Sequence, residues 1–263
     1  MRAYFPVARA TYMIGLVYRF GFLFGIFGNL VYLGVAYYLW KSIYRYSDVI
    51  RGLTFNETFI YVALGSAIFI LLKTYADWII HYEIREGAIA TYLTKPIDYQ
   101  IYALFANLGG MLMNLTAITV PTVLVMLFVF RVEFAFGPGL FLFPLSLLLA
   151  FLISFSIDYF IGIFGFYSES VWGLSITKEI IVTVFSGALI PLQFFPDAVQ
   201  RVLYWLPFQA IYHTPLMMIT RPNQGLDVFL PMILVQLAWA ALLFLLARLF
   251  YNQAIKVLRI AGG

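Results

Sequence analysis

The sequence contains no cysteine. That excludes disulfides, thiolate nucleophiles, Cys-ligated zinc and iron–sulfur clusters. Charge is almost as scarce: 11% of the 263 residues are Asp, Glu, Lys or Arg, against about 25% in a soluble domain. A chain this poor in charge cannot cover a water-facing surface. No G-x-x-x-x-G-K-[ST] phosphate loop is present, so the chain carries no such cradle for a nucleotide. No basic run marks a nucleic-acid face, and a net charge of +4 fits basic flanks of membrane spans better. The two histidines, His81 and His213, are too far apart in sequence to build a metal site. The opening MRAYFPVARATYMIGLVYRF is not a signal peptide, because Arg9 and Arg19 interrupt the apolar stretch that one needs. The N-terminus is therefore expected to be retained.

What the chain has in abundance is apolar length. It is 63% hydrophobic, with a mean hydropathy of +0.94. A helix needs about 20 mostly apolar residues to cross about 30 Å of hydrocarbon. Six stretches qualify, at about 20–40, 58–80, 102–130, 139–166, 176–192 and 228–247. The expected fold is all-α: a single polytopic membrane domain over residues 1–263, built as a six-helix bundle. Pro121 should kink the third span, and a short turn with Arg131, Glu133, Gly137 and Pro138 joins the third to the fourth. Residues 1–18 read as a helix along the inner membrane interface.

Between the fifth and sixth stretches lies QFFPDAVQRVLYWLPFQAIYHTPLMMITRPNQG, too apolar for a watery loop. Pro196, Pro207 and Pro215 cut it into pieces too short to span. Asp197, in the first turn after Pro196, suits a helix N-terminus. The expectation is two short helices over about 196–215 that dip into the outer leaflet, packed on protein because bare irregular backbone is not tolerated in lipid. Lys and Arg set the orientation. Arg2, Arg9, Arg19, Arg85, Lys95, Lys178, Arg248, Lys256 and Arg259, with Lys73 nearby, fall on the side that also holds both termini. Lys41, Arg45, Arg51, Arg131, Arg201 and Arg221 fall on the other. The excess makes the first side cytoplasmic.

The sizeable loop on that side, HYEIREGAIATYLTKPIDYQIYAL, reads as a surface-parallel amphipathic helix over about 83–95. Glu83 and Glu86 stand at its start and Lys95 at its end, as a helix dipole favours. Ile84, Ala88 and Tyr92 make an apolar stripe. Pro96 stops the helix, and Asp98 can cap the next. Physics alone also allows an ordinary connector on lipid headgroups.

The stretch REGAIATYLTKPI resembles the first cytoplasmic loop of ABC-2-type permeases, the membrane subunits of one class of ATP-binding-cassette exporter. Arg85, Glu86 and Gly87, with Pro96 nine positions after the Gly, keep that loop's spacing. A second resemblance is SGALIPLQFFPDAVQRVLYWLPF, where Ser186, Gly187, Pro191, Pro196 and Pro207 match the family's Ser-Gly and its proline-punctuated outer helices. The wording TYLTKPI is similar to a bacterial branch often encoded with a second, different permease. The resemblance implies an export permease in the inner membrane of a prokaryote. Its loop residues Glu83, Arg85, Glu86, Gly87, Tyr92 and Pro96 would couple to a separate ATPase, present in two copies, that uses ATP and Mg. It also implies a second permease, identical or paralogous, and an outer gate at Ser186, Gly187, Pro191, Pro196 and Pro207. This chain itself would bind no cofactor, and its other neighbour would be membrane lipid.

Polar residues at membrane depth mark paired or functional sites. Lys73 and Asp77, four apart, can pair across one helical turn. Asp158, with Ser154 and Ser156 nearby, reaches the cytoplasmic interface or lines a cavity. Asn107, Asn114 and Gln236 suit interhelical hydrogen bonds. An ion-gradient-driven secondary transporter or channel is the alternative function. It would need a charged relay in mid-membrane, for which Asp158 is the candidate.

Overall fold

The computed structural model describes residues 4–17, 19–130 and 136–257. Arg2, Arg131 and Arg259, counted above among the flanking charges, and Glu133 of the expected turn lie outside them. Among the described residues, five helical stretches are long and apolar enough to cross a membrane: Leu23–Tyr46, Phe55–Arg85, Tyr99–Phe128, Pro138–Phe166 and Leu226–Val257.

The chain opens with α1 (Phe5–Val17) and α2 (Arg19–Ile43). α1 does not lie apart at an interface. It packs lengthwise on the later helix α6 (Tyr99–Asn114) and runs the same way: the Asp98 N–H donates to the Tyr4 hydroxyl at 2.9 Å, Phe5 meets Phe105 edge-on, and Gly15 faces Met113. Gly109 allows the contact, since a Cβ there would come within 2.2 Å of the Ala8 carbonyl oxygen. Lipid removes the hydrophobic drive between helices, so approach this close is what binds them.

After α2, strands β1 (Val49–Ile50) and β2 (Leu53–Thr54) form an antiparallel hairpin. Arg51 and Gly52 both take positive φ, 51° and 77°, as a two-residue turn of the primed kind requires. Thr54 then caps α3 (Phe55–Leu72) in a full capping box with Glu57, which satisfies two orphan N–H groups at once. α3 is apolar all round and buried along most of its length, as a helix at the centre of a bundle should be.

The second apolar stretch is not one helix. α3 ends at Leu72, Lys73 is extended with ψ 115°, and α4 (Ala76–Arg85) restarts after Tyr75. α5 (Ile89–Leu93) is a single short turn of helix. α6 passes through a π-helical stretch at Leu115–Thr119 into α7 (Val120–Phe128). Pro121, which has no N–H to donate, sits at the junction where a helical bond would otherwise be needed. α8 (Pro138–Ile163) follows, then α9 (Trp172–Phe185), α10 (Asp197–Leu203), α11 (His213–Thr220) and α12 (Leu226–Ala254).

The fifth expected stretch, 176–192, is the one that falls short. α9 has 14 residues, and at about 1.5 Å each it spans about 21 Å. The paired helices α8 and α12 show what the chain must nevertheless do there. Gly139 meets Phe229, the Gln236 amide donates to the Ser146 carbonyl at 3.0 Å, and Phe160 packs on Phe250. Each pair is 90 residues apart, so α8 and α12 run side by side in one direction. The segment from Phe166 to Leu226 therefore returns from one end of the bundle to the other. The end bearing β1 and β2 is called here the hairpin end, and the opposite one, with Gly87, the turn end.

Candidate functional site

Three places carry the polar chemistry of the molecule. At the turn end, residues 83–95 are two helices rather than the single amphipathic helix expected. α4 stops at Arg85, and Gly87 turns the chain with φ +72°. A side chain rarely tolerates this left-handed conformation. Open space surrounds Gly87, so it is the backbone and not a close neighbour that requires glycine. The apolar stripe is broken too: Ile84 and Ile89 are buried, but Ala88 is exposed. Arg85 and Glu86 are exposed and pair with each other at 3.1 Å. Lys95 and Pro96 are exposed as well.

Glu83 and Tyr92 face the other way. The Glu83 carboxylate accepts hydrogen bonds from the hydroxyls of Tyr92, at 3.1 Å, and Tyr99. Tyr92 also meets the Tyr102 hydroxyl at 3.1 Å. Burial first, then the Tyr102 hydrogen bond and the Glu83 charge, push the Tyr92 hydroxyl well above its ordinary range. This knot fastens the loop to α6. Beside it Asp98 caps α6, accepting the Ile101 N–H at 3.1 Å and two bonds from Arg248 of α12, one at 2.7 Å. Partial burial alone would raise the Asp98 carboxyl. The Arg248 hydrogen bond, the Ile101 N–H and the Arg248 charge outweigh it and hold the carboxyl below the usual carboxylate range.

Towards the hairpin end, α9 stops at a buried Ser186, whose carbonyl accepts the His213 N–H at 3.1 Å. Gly187 takes φ +81°, and a Cβ there would lie 2.9 Å from the Tyr61 hydroxyl. Pro191 opens a short 3-10 turn, and Pro196 sets the N-terminus of α10. α10 and α11 cover 197–203 and 213–220, joined by tight turns that begin near Pro207. Both ends of this excursion meet the hairpin: Asp197 pairs with Arg51 at 3.5 Å, and Arg221 reaches Glu57 at 3.5 Å and the Gly52 carbonyl at 3.0 Å. Its middle plunges into the bundle. Tyr212 stacks on Phe69, and the Gln236 amide holds the Ala210 carbonyl at 2.7 Å.

The third place is a buried charge cluster that sequence reading assigned differently. Lys73 and Asp77 do not pair with each other, because the break at 73–75 puts them on separate elements. Lys73 pairs with Glu179, and Lys178 bridges Asp77 at 3.1 Å and Asp158 at 2.6 Å. The Thr74 hydroxyl hydrogen-bonds Asp158. Asp77 is 1% exposed and Asp158 5%. Asp158 lines a narrow cavity of about 50 Å³ with Phe69, Trp78, Ser154 and Tyr212. Lys178 is thus an interior partner and not a flanking charge, which narrows the basic bias used for orientation. The signal for this site was two adjacent charges, Lys178 and Glu179, inside the apolar run ITKEIIVTVF. Among the other polar residues, Asn114 reaches the Ile70 carbonyl of α3, whereas Asn107 bonds within its own helix. Among the described residues no group of His, Asp and Glu is arranged to hold a metal.

The described residues form a largely helical membrane bundle with a braced loop at one end and a folded-in segment at the other. A family model described as ABC-2 family transporter protein matches residues 30–262, and the chain belongs to that family. The family is that of a membrane transport component, not itself catalytic, that associates with an ABC ATPase. No curated protein matches the chain at a significant level.

Proposed function

We propose that the chain is the membrane-spanning permease subunit of an ABC-2-type exporter. A separate ATPase, in two copies, hydrolyses ATP with Mg and presses on the turn end. The observation that carries this reading is the build of that end. Arg85 and Glu86 stand exposed on a turn, while Glu83, three tyrosines and Asp98 tie the same loop to α6 and α12. A push on the turn is thereby passed to the bundle through α4 and α6. On this reading the turn end is cytoplasmic and holds both termini in the inner membrane of a prokaryote. α9 and the chain after it supply a sixth crossing, and the excursion 186–221 closes the path outside. A second permease, identical or paralogous, completes the path along which an unidentified substrate leaves.

The test is co-purification of the ATPase with Arg85→Ala and Glu86→Ala. Both side chains are exposed in the free chain, so membrane levels should stay at the parent's, with stability changed by within about 0.5 kcal/mol. Losing a charge buried in the docked interface should cost about 2–5 kcal/mol of association. Parental recovery of the ATPase with both variants would remove the turn from the interface.

A further inference from the structure

The cluster at Asp77, Asp158 and Lys178 does not balance. It has two carboxylates against one ammonium, since Lys73 is already matched by Glu179. Around it stand Phe69, Leu72, Trp78, Ile157, Val182 and Ile211. A net negative charge in such surroundings is costly unless it is neutralised. Hydrogen-bond roles show where neutralisation fits. Asp77 Oδ1 accepts the Trp78 backbone N–H at 2.9 Å, and its Oδ2 faces the Lys178 ammonium at 3.1 Å. Both partners can only donate, so a proton on Asp77 would oppose one of them. Asp158 Oδ1 faces the same ammonium at 2.6 Å, and so has no place for a proton either. Asp158 Oδ2 faces the Thr74 hydroxyl, which can accept as well as donate. It is the one carboxylate oxygen of the pair whose partner can take a proton's hydrogen bond.

Tyr212, 3% exposed, lines the same cavity. A cavity of about 50 Å³ has room for water.

We propose that Asp158 Oδ2 is a proton-binding site of this permease, occupied at neutral pH. The proton comes from water in the cavity, adds to the Asp158 carboxylate and donates to Thr74 Oγ1. Asp77 and Lys178 remain an ionised pair. The inference is independent of the ATPase reading and assigns the proton no driving role. The charged and titratable groups facing the site are Lys73 and Tyr75 from the junction of α3 and α4, Asp77 from α4, Lys178 and Glu179 from α9, and Tyr212 from the inserted segment. His81, one turn beyond Asp77, and His213, next to Tyr212, serve as controls.

The test is infrared spectroscopy of the purified full chain in lipid. The parent should show a protonated-carboxyl stretch at pH 7 that is lost in Asp158→Asn and kept in His81→Gln and His213→Gln. Thr74→Val should move that band, because it removes the acceptor, and this variant keeps the test open should Asp158→Asn fold poorly. A parent spectrum without the band at pH 7, or a band that survives in Asp158→Asn, would overturn the proposal. So would a band that Thr74→Val leaves unmoved.

Discussion

Lys178 joins three elements through one ammonium: α9, which bears it, α4 through Asp77 and α8 through Asp158. Replacing it with methionine keeps the length of the stem and removes the charge. Asp77 is then a buried carboxylate with no counter-ion, which typically costs about 3–5 kcal/mol. Lys178→Met should therefore lower the thermal unfolding midpoint in detergent sharply. The double variant Asp77→Asn, Lys178→Met should recover most of the loss, because with a neutral Asp158 no charge is left in the cluster. A double variant as unstable as the single one would mean that Asp158 is itself charged. At this scale the sequence was legible only in part. Asp158 was visible as an intramembrane acid, but its partner lies 20 residues away on another helix. Lys73 and Asp77 suited an i, i+4 pair, a rule that presumes continuous helix. The extended Lys73 removes that premise. Propensity does not reveal the break, because Thr and Tyr are only mildly unfavourable in helices.

Elements were easier to read than pairings, and caps easiest of all. Asp98 was recognisable as the cap of α6 and Pro96 as the stop before it, whereas Gly87 fell inside the single helix expected over 83–95. What the local pattern could not supply was Arg248, 150 residues distant, which turns that cap into a tie between α6 and α12. The two roles separate by substitution. Asn can still cap, so Asp98→Asn should cost only the ion pair. Asp98→Ala should cost in addition the cap, about 0.5–2 kcal/mol. The pH dependence follows from the direction of the shift. A carboxyl held below its unfolded range stabilises the fold fully above that range, and the contribution is lost as pH falls through the lowered folded value. Parent and Asp98→Asn should therefore differ by a constant amount between pH 5 and 8, and the difference should shrink only as the solution becomes more acid than about pH 4. Melting curves of both proteins across that range check it. α1 illustrates the opposite case. Its fair amphipathicity suggested an interface, but Gly109 lets it lie on α6, and nothing in the sequence of α1 itself announces that partner.

Over the whole molecule, composition alone is enough to read an all-α membrane bundle, and five of the long helices fall where apolar runs place them. The count of crossings is the part that length could not settle, because α9 is only 14 residues. Direction bears on it in geometric terms. α8 and α12 are parallel neighbours in a constant register, and two parallel crossings require a return between them. If the bundle spans the bilayer, α9 and the chain through Phe195 are that return, and the excursion from α10 to α11 then leaves from and comes back to the hairpin end. The absence of cysteine makes the consequence simple to measure. Single cysteines at Arg51 and Asn223 sit at the hairpin end, and at Ala90 and Ser170 at the turn end. With six crossings, an impermeant thiol reagent applied to intact cells should label the first pair and spare the second, and all four should react once the membrane is opened. A five-crossing chain fails this pattern in a specific way. With no return between α8 and α12, Asn223 would stay with Ser170 on one side, and those two cysteines would be labelled or spared together.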